Sequence, residues 1–471
     1  MKRLGFFDVL LSVVSVVLTC EAIAPAARIG ASSIFWWVVL LLGFLFPYAK
    51  VVLSFCEEYG YSSTMYVWVA RGLGRKQAGR VSWYYWVNYV TWFASVAVLF
   101  ASTTNMLIGY KLHAIGELIV SILFIVVVFI VGSTGAANSK KLMNVGAIAK
   151  ILIATVLGIV GLLLGIENGF ATPVTPRAIF SDIGSSDALS HLSIILFNFM
   201  GLEVIASYGD RMEAPKRDLP KAFVFGGICI CLVYLLSSLG VMAQVKPDDI
   251  ASDTGIMDAA RVMFNNNRLL VSVVGIAFIM SLFTNMVSWA MGVCSEIRGA
   301  ALNRTLPSVF AIGNYNGEPV GAMIVSALTI TCIVSLKVFM PNSTSFFEVV
   351  FSLNVVFALL SYIPLFPCYF KLQNQHAQTT LQKLVLKLTV VVPASELIIA
   401  CVCSLYPIND GVWDMKKVSL LVASLFVLAV GEILEHHYCK SEKPVIYKWY
   451  KEYKKSYIDN QLEANCPRNA F

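Results

Sequence analysis

Twelve long apolar blocks constrain the fold of this chain more than any other feature of its sequence. They lie at about residues 8–27, 33–56, 82–110, 114–132, 142–166, 188–208, 221–244, 268–298, 318–337, 345–370, 384–406 and 417–436. Each block is about twenty residues or longer, the length at which an α-helix crosses the hydrocarbon core of a bilayer. The blocks lack the alternation of apolar and polar residues that marks the strands of a membrane β-barrel. We therefore predict an all-α polytopic membrane protein with about 12 transmembrane helices, numbered here 1 to 12 in chain order.

The composition agrees with a bilayer as the surrounding solvent. Hydrophobic residues make up 58% of the chain and charged residues only 13%, and the mean hydropathy is +0.75. A soluble domain carries about a quarter charged residues. In a membrane protein the location of positive charge matters more than its sum. The net charge of +7 is therefore not interpreted as a nucleic-acid surface, and the expected large partner is the lipid bilayer.

The distribution of Lys and Arg predicts the orientation. With the N-terminus placed in the cytoplasm, the inner segments carry roughly three times as many Lys and Arg as the outer ones. Loops rich in these residues stay on the cytoplasmic side. The pattern predicts a multi-pass protein of the cytoplasmic membrane with both termini inside. The first block follows Lys2 and Arg3 without a small-residue cleavage site, so we expect it to be retained.

The chain divides into one transmembrane domain and a tail. Residues 1–439 form the predicted domain, and residues 440–471 form a basic cytoplasmic tail in which Lys alternates with Tyr and Trp. Such a tail is either solvated or adsorbed on the anionic inner leaflet, and the sequence leaves both open.

Features of an enzyme are missing from the sequence. The 11 cysteines are scattered through apolar blocks, and none forms a metal-ligand spacing with histidine. Even Cys401 and Cys403 are better interpreted as small buried hydrophobic side chains than as a zinc or redox site. We find no nucleophile–base arrangement and no cofactor loop. We predict no catalytic residues, no metal and no cofactor.

Glu21 is the first of four charged residues that stand out within the apolar blocks; the fourth, Lys50, lies near the end of helix 2 and is expected to extend to the membrane surface. A charge at membrane depth is costly and is a functional candidate by default. Pro25 follows four residues later, where it removes a helix donor, so helix 1 should be interrupted at about residues 18–25. Interrupted helices line substrate cavities in transporters. The alternative is a simple proline kink with Glu21 paired to Arg28 or Lys150.

Glu203 lies in helix 6, two residues after Gly201, which weakens the helix at that point. Breaks in helices 1 and 6, five helices apart, match a 5+5 inverted repeat with binding at the repeat interface. The repeats would span roughly 5–167 and 188–371, with two further helices within 384–436. For Glu203 itself, a structural bond to unwound backbone and a contact to substrate remain equal alternatives.

Lys150 in helix 5 is the third buried charge, since an isolated lysine there must find carbonyls or a carboxylate, lose its proton, or extend to the inner surface. Two aromatic residues join it as candidates. Phe197 precedes the break in helix 6 by four residues, and Trp289 lies in helix 8. Rings that face a cavity can stack on a cation.

Several stretches resemble the amino acid–polyamine–organocation permeases. They read APAARIGASSIFWWVVLLLGFLFPYAK, YVWVARGLGRK followed by WYYWVN, FMGLEVIASYGDRMEAPKRDLPKAF, and SWAMGVCSEIRGAALNRTLPSVFAIGNYNGEPVGA. The resemblance covers nearly all of residues 5–370, and the pattern is most similar to the branch of agmatine/putrescine and glutamate/γ-aminobutyrate exchangers.

This resemblance implies a leucine-transporter-type fold with alternating access around broken helices 1 and 6. It places Phe197 where the arginine/agmatine exchanger has a gating tryptophan, and Trp289 where a helix 8 tryptophan packs on the substrate. Lys150 matches a lysine that occupies the place of a sodium ion in proton-coupled members. One departure stands out, because the family's glycine-rich break in helix 1 reads Thr19-Cys20-Glu21-Ala22 here. It offers fewer free amides to an α-carboxylate and favours a cation.

The sequence therefore predicts a sodium-independent secondary transporter, a permease or antiporter, for a small amine or amino acid. The expected substrates are a diamine or agmatine-like amine first and a cationic or neutral amino acid second. Glutamate/γ-aminobutyrate exchange and a transporter-derived sensor or regulatory subunit are the alternatives, and a homodimer is left open. The candidate substrate-binding residues are Thr19, Cys20, Glu21, Ala22, Phe197, Gly201, Glu203 and Trp289, and the candidate coupling residue is Lys150.

Overall fold

The computed structural model describes residues 4–61, 64–134, 140–181, 183, 186–206, 209–251, 254–314, 317–339, 343–375, 379–406, 413 and 415–438. The predicted basic tail, residues 440–471, lies outside the described residues. Within them the backbone is nearly all helical, and the single β-bridge pairs Leu4 with Met212. The predicted all-α class is confirmed.

The helices follow the predicted order. Ten are long and apolar enough to span a membrane, eleven with the bent helix 1, and the shorter apolar stretch Leu192–Ala206 lies at the predicted helix 6. The bounds are Phe6–Val17 and Cys20–Ala27 (helix 1), Gly30–Tyr59 (2), Arg75–Ile108 (3), Ala114–Ser133 (4), Lys140–Asn168 (5), Ser186–Phe197 and Leu202–Ala206 (6), Pro215–Gln244 (7), Arg268–Leu302 (8), Val320–Ser335 (9), Ser343–Tyr362 (10), Thr380–Leu405 (11) and Met415–Tyr438 (12). Short helices Met65–Gly72, Pro176–Ser181 and Gly255–Met263 lie in three of the connections.

Some helix ends differ from the predicted ones because a helix can extend beyond the apolar block from which it was predicted. Helix 3 begins at Arg75, seven residues before the apolar block, because its first two turns carry charged residues that still form helical hydrogen bonds. Helix 2 contains a π-helical turn, Leu41–Leu45, just before Pro47. Proline has no backbone N–H to donate to the preceding turn, and such local widening is a common way to accommodate it.

Helices 1, 5 and 7 pack closely, and this contact positions much of the site. A Cβ atom on Gly161 of helix 5 would lie 2.2 Å from the carbonyl oxygen of Gly240 in helix 7, and one on Gly158 would lie 2.8 Å from the Leu236 carbonyl oxygen. Small residues let membrane helices approach until their backbones touch. Close packing therefore holds helix 7 beside helix 5, with the first half of helix 1 against both.

Candidate functional site

Helix 1 is broken at Leu18 and Thr19, both of which have extended backbone conformations. The two halves are bent by 44°, which confirms the predicted interruption. The backbone N–H of Thr19 donates to the Tyr234 hydroxyl at 2.7 Å instead of continuing the helix. The Thr19 hydroxyl donates to Asn198 Oδ1 at 3.0 Å. The break of helix 1 is thus bonded to helix 7 and to the break of helix 6.

The same break leaves carbonyl groups of the first half of helix 1 without their helical donors. The Ser15 carbonyl oxygen accepts a hydrogen bond from the ammonium of Lys150. The Val16 carbonyl oxygen accepts from the indole Nε1 of Trp289 at 3.0 Å. Two of the predicted site residues therefore complete the hydrogen bonding of the interrupted helix.

Helix 6 ends at Phe197 and resumes at Leu202. The backbone between them turns through Gly201, whose φ is +114°. A Cβ atom at Gly201 would lie 2.9 Å from the Trp289 ring. Glycine is required twice here, once for the backbone conformation and once for the approach of helix 8. The predicted break in helix 6 is confirmed.

Glu21 lies in the short helical turn Cys20–Ala22 that follows the break in helix 1. Its Oε1 accepts from Asn285 Nδ2 at 3.3 Å, and Asn285 Oδ1 accepts from Lys150 Nζ at 2.8 Å. The amide of Asn285 thus bridges the carboxylate and the ammonium. Trp92 also lies beside Glu21. Sequence reasoning missed Asn285, which carries no charge and lies in an otherwise apolar helix.

The alternatives for the charged residues are resolved in part. Arg28 donates to Glu348 of helix 10 at 3.2 Å, so the cation that Glu21 reaches, through Asn285, is Lys150. The Lys150 side chain is 1% exposed and does not extend to the membrane surface.

Glu203 accepts hydrogen bonds from three tyrosine hydroxyls. Tyr85 and Tyr362 donate to Oε1 at 2.5 and 2.7 Å, and Tyr48 donates to Oε2. Helices 2, 3 and 10 each supply one of these rings. The Glu203 carboxylate is therefore bonded to side chains of three other helices, whereas the sequence left open a bond to unwound backbone and a contact to substrate. Tyr85 lies in the stretch WYYWVN, which we used in the sequence analysis only for its resemblance to the permeases.

Aromatic rings cover the space between the two breaks. Trp92 of helix 3 makes edge contacts with Phe197 and Trp289, with centroids 5.4 and 5.1 Å apart. Phe197 also contacts Phe351 of helix 10 at 5.9 Å. Phe197 and Trp289 thus lie inside the helix bundle and share a neighbour.

Several buried polar atoms of this region have no hydrogen-bond partner among the described residues. They are Asn88 Oδ1, Asn198 Nδ2 and both polar atoms of the Asn354 amide. Asn88 lies one turn before Trp92 on helix 3. On helix 10, Asn354 lies one turn beyond Phe351, toward Tyr362. Buried polar groups are almost always paired, so these unpaired ones are candidates for contact with a polar ligand. None of the three asparagines was among our sequence candidates.

The candidate residues are shielded from solvent. Side chains of the non-glycine candidates are between 0 and 5% exposed. Toward the outer ends of the helices, Glu348 bonds to both Arg28 and Lys416, which links helices 1, 10 and 12.

At the N-terminal end of helix 1, backbone bonds of 2.9 and 3.0 Å join Leu4 to Arg211 and Glu213 in the connection after helix 6. Asp8 accepts from Asn144 of helix 5 at 3.2 Å. Both halves of helix 1 are therefore bonded to other elements at the ends that lie away from the break.

The amino acid permease family profile matches residues 4–430. The chain belongs to the amino acid permease family. It is therefore a membrane transporter and not an enzyme, as predicted.

Two relatives of this permease are named as antiporters. It is 30% identical over 442 residues to a protein named probable agmatine/putrescine antiporter AguD from Lactococcus lactis subsp. lactis (strain IL1403), covering 92% of this chain and 94% of that one. It is 22% identical to the glutamate/gamma-aminobutyrate antiporter of the same strain, covering 79% of this chain and 76% of that protein.

A solved structure supports the fold. The permease superposes on MhsT, crystallised with L-phenylalanine, with a TM-score of 0.54 and 16% identity, covering 84% of this chain and 98% of that one. This likeness concerns the fold alone, and it confirms the predicted leucine-transporter-type architecture.

Proposed function

We propose that this permease exchanges small amines across the cytoplasmic membrane without sodium. The preferred substrate is a diamine or an agmatine-like decarboxylated amino acid, and a cationic or neutral amino acid comes second. The observation that carries the proposal is the carboxylate of Glu21, which stands beside the break of helix 1. A carboxylate there attracts a substrate ammonium through a charge-assisted hydrogen bond.

The unpaired amides favour a substrate with two polar ends. Asn88 Oδ1 and Asn354 Oδ1 are buried acceptors, on helices that also supply Tyr85 and Tyr362 to Glu203. A second amino or guanidino group, carried on a short aliphatic chain, would supply the missing donors. The aromatic rings of Trp92, Phe197 and Trp289 suit the apolar stem between the two ends. The similarity to a probable agmatine/putrescine antiporter supports the same substrate class.

Lys150 supports independence from sodium. Its ammonium donates to a carbonyl freed by the break in helix 1 and to Asn285 of helix 8. These are oxygen ligands of the kind that a bound cation would use to hold helix 1 against helix 8. The Lys150 ammonium supplies that charge without an ion. It acts either as a fixed charge during exchange or, by losing and regaining its proton, as the proton carrier of a coupled cycle.

Counterflow in proteoliposomes tests this proposal. Vesicles loaded with putrescine should accumulate labelled agmatine from outside, and replacing sodium with choline should leave the rate unchanged. Sodium-stimulated uptake, or no uptake of any amine by folded protein, would contradict the proposal.

Glutamate/γ-aminobutyrate exchange is the second candidate, favoured by the similarity to an antiporter of that name. Uptake of labelled glutamate and of labelled agmatine into vesicles loaded with γ-aminobutyrate distinguishes this candidate from amine exchange. Exchange of glutamate but not of agmatine would select the second candidate.

A further inference from the structure

Tyr234 of helix 7 occupies one of the backbone donors that the break in helix 1 creates. Its hydroxyl accepts the Thr19 N–H at 2.7 Å and lies 2.9 Å from the Thr19 hydroxyl. The same hydroxyl lies 3.3 Å from the Thr19 carbonyl oxygen, to which it can donate. The phenol has a single proton, which it can donate to the hydroxyl or to the carbonyl oxygen of Thr19 while it accepts the Thr19 N–H. The backbone donor of a residue at the break is therefore occupied.

The phenol is held firmly in this position. Its ring is fully buried and stacks on Trp37 of helix 2, with centroids 4.4 Å apart and planes 12° from parallel. Trp37 in turn makes an edge contact with Phe199 in the break of helix 6. Because the ring cannot swing away without unstacking, the Thr19 amide stays occupied in this conformation.

An occupied amide has a consequence for substrate choice. A carboxylate that enters an interrupted helix needs backbone N–H donors to replace the water it leaves. Here the Thr19 N–H already has an acceptor, and the carboxylate of Glu21 lies two residues further on. A substrate carboxylate would meet an occupied donor and the like charge of Glu21. A substrate ammonium would instead meet the Glu21 carboxylate, with the Lys150 ammonium separated from that carboxylate by the amide of Asn285.

We propose that Tyr234 is a specificity-determining residue that makes this permease select decarboxylated amines over the α-amino acids from which they derive. Its hydroxyl withholds the Thr19 amide from a substrate carboxylate, and Glu21 repels that carboxylate. This inference rests on the proposed amine exchange and goes beyond it, since a counter-charge for ammonium alone would not separate agmatine from arginine.

Matched substrate pairs test the inference. Uptake of agmatine is compared with that of arginine, and uptake of putrescine with that of ornithine, in the parent protein and in Tyr234→Phe. The parent should prefer the amine in each pair. In Tyr234→Phe the Thr19 N–H loses its acceptor, so the ratio of amino acid to amine uptake should rise about tenfold or more, as expected for one hydrogen bond to a charged group.

Tyr89→Phe is the matched control. It removes the hydroxyl of another buried tyrosine, one that donates to the Met286 carbonyl oxygen at 3.5 Å, and it should leave the ratio at the parent value. An unchanged ratio in folded Tyr234→Phe, or an equal change in Tyr89→Phe, would overturn the role of Tyr234. Failure of the parent to exchange any amine would instead overturn the proposed function.

A measurement on the parent alone covers the case in which Tyr234→Phe does not fold. Argininamide has nearly the size of arginine but lacks the negative charge and carries a donor of its own. It should compete with agmatine about tenfold better than arginine does. Equal exclusion of argininamide and arginine would show that size and not the carboxylate is rejected, and would refute the inference.

Discussion

Glu21 and Glu203 are buried carboxylates at the breaks of two helices, yet their surroundings differ. Glu203 accepts from three tyrosine hydroxyls at or below 2.7 Å. Glu21 accepts from one asparagine amide at 3.3 Å and is linked through it to Lys150. The comparison shows that membrane depth and a helix break do not by themselves make a carboxylate a ligand for substrate. A carboxylate can bind a substrate ammonium only if its oxygens are not already occupied by donors from neighbouring side chains. Glu21 has fewer such donors than Glu203, and we therefore propose that the substrate ammonium binds at Glu21.

Replacing each carboxylate by its amide should produce the largest difference. Glu21→Gln removes the counter-charge, and a lost charge-assisted bond of about 1.5–3 kcal/mol weakens binding by about 10- to 150-fold. Glu203→Gln keeps an oxygen that accepts from the tyrosines and should change agmatine affinity less than tenfold. Titration of agmatine into both purified variants measures this. Unchanged affinity in Glu21→Gln would break the comparison.

Lys150→Ala should have the next largest effect. It leaves the Ser15 carbonyl oxygen and Asn285 Oδ1 without their donor, so we expect exchange to slow by about tenfold or more. The pH dependence of exchange should also change, because the proposed proton carrier is gone. Lys50→Ala is the control, since Lys50 is an exposed lysine of helix 2 and its removal should not alter the pH profile. A profile shared by Lys150→Ala and the parent would remove Lys150 from the coupling step.

The aromatic residues should contribute somewhat less. Alanine at Phe197 or Trp289 removes a ring that would pack on the substrate. A cation–π contact in a desolvated place contributes about 2 kcal/mol, so the loss of affinity should be roughly 30-fold at most. Phe225→Ala, which deletes a ring of helix 7 that is 58% exposed, should leave affinity unchanged. Counterflow and thermal unfolding measured together separate loss of binding from loss of folding. Parent affinity in both Phe197→Ala and Trp289→Ala would remove these rings from the site.

Asn354→Ala should produce the smallest change and the most selective one. Loss of one neutral acceptor should weaken the binding of agmatine and of putrescine by about 2- to 10-fold. A monoamine of the same chain length has no second polar group that could contact Asn354. It should bind more weakly than the diamine in the parent, and the substitution should not weaken it further. Equal loss for diamine and monoamine would place Asn354 outside the contact with substrate and would weaken the case for a two-ended ligand.

Much of the framework could be predicted from the sequence because each part depends on local chemistry. Apolar length predicts a span, Pro25 and Gly201 weaken their helices wherever they pack, and Glu21, Glu203 and Lys150 are costly at membrane depth in any arrangement. The helix count, the two breaks and the family resemblance all followed from such features. Tyr48, Tyr85, Tyr362, Tyr234, Asn285 and Asn354 did not, because tyrosines and asparagines in apolar helices gain meaning only from what they face.

The sequence by itself thus determined the class of molecule. It is a membrane permease with twelve apolar segments, interrupted helices 1 and 6, and a few charged residues buried at membrane depth. Only the tertiary structure decided which of the buried carboxylates already has its hydrogen bonds filled by neighbouring side chains. Hydrogen bonds in a low-dielectric interior depend on distances of a few tenths of an ångström between residues far apart in the chain. Three hydroxyls converge on Glu203, one phenol closes the Thr19 amide, and a single asparagine joins Glu21 to Lys150. No local pattern encodes those meetings, since each depends on how helices 2, 3, 5, 7, 8 and 10 pack around the two breaks.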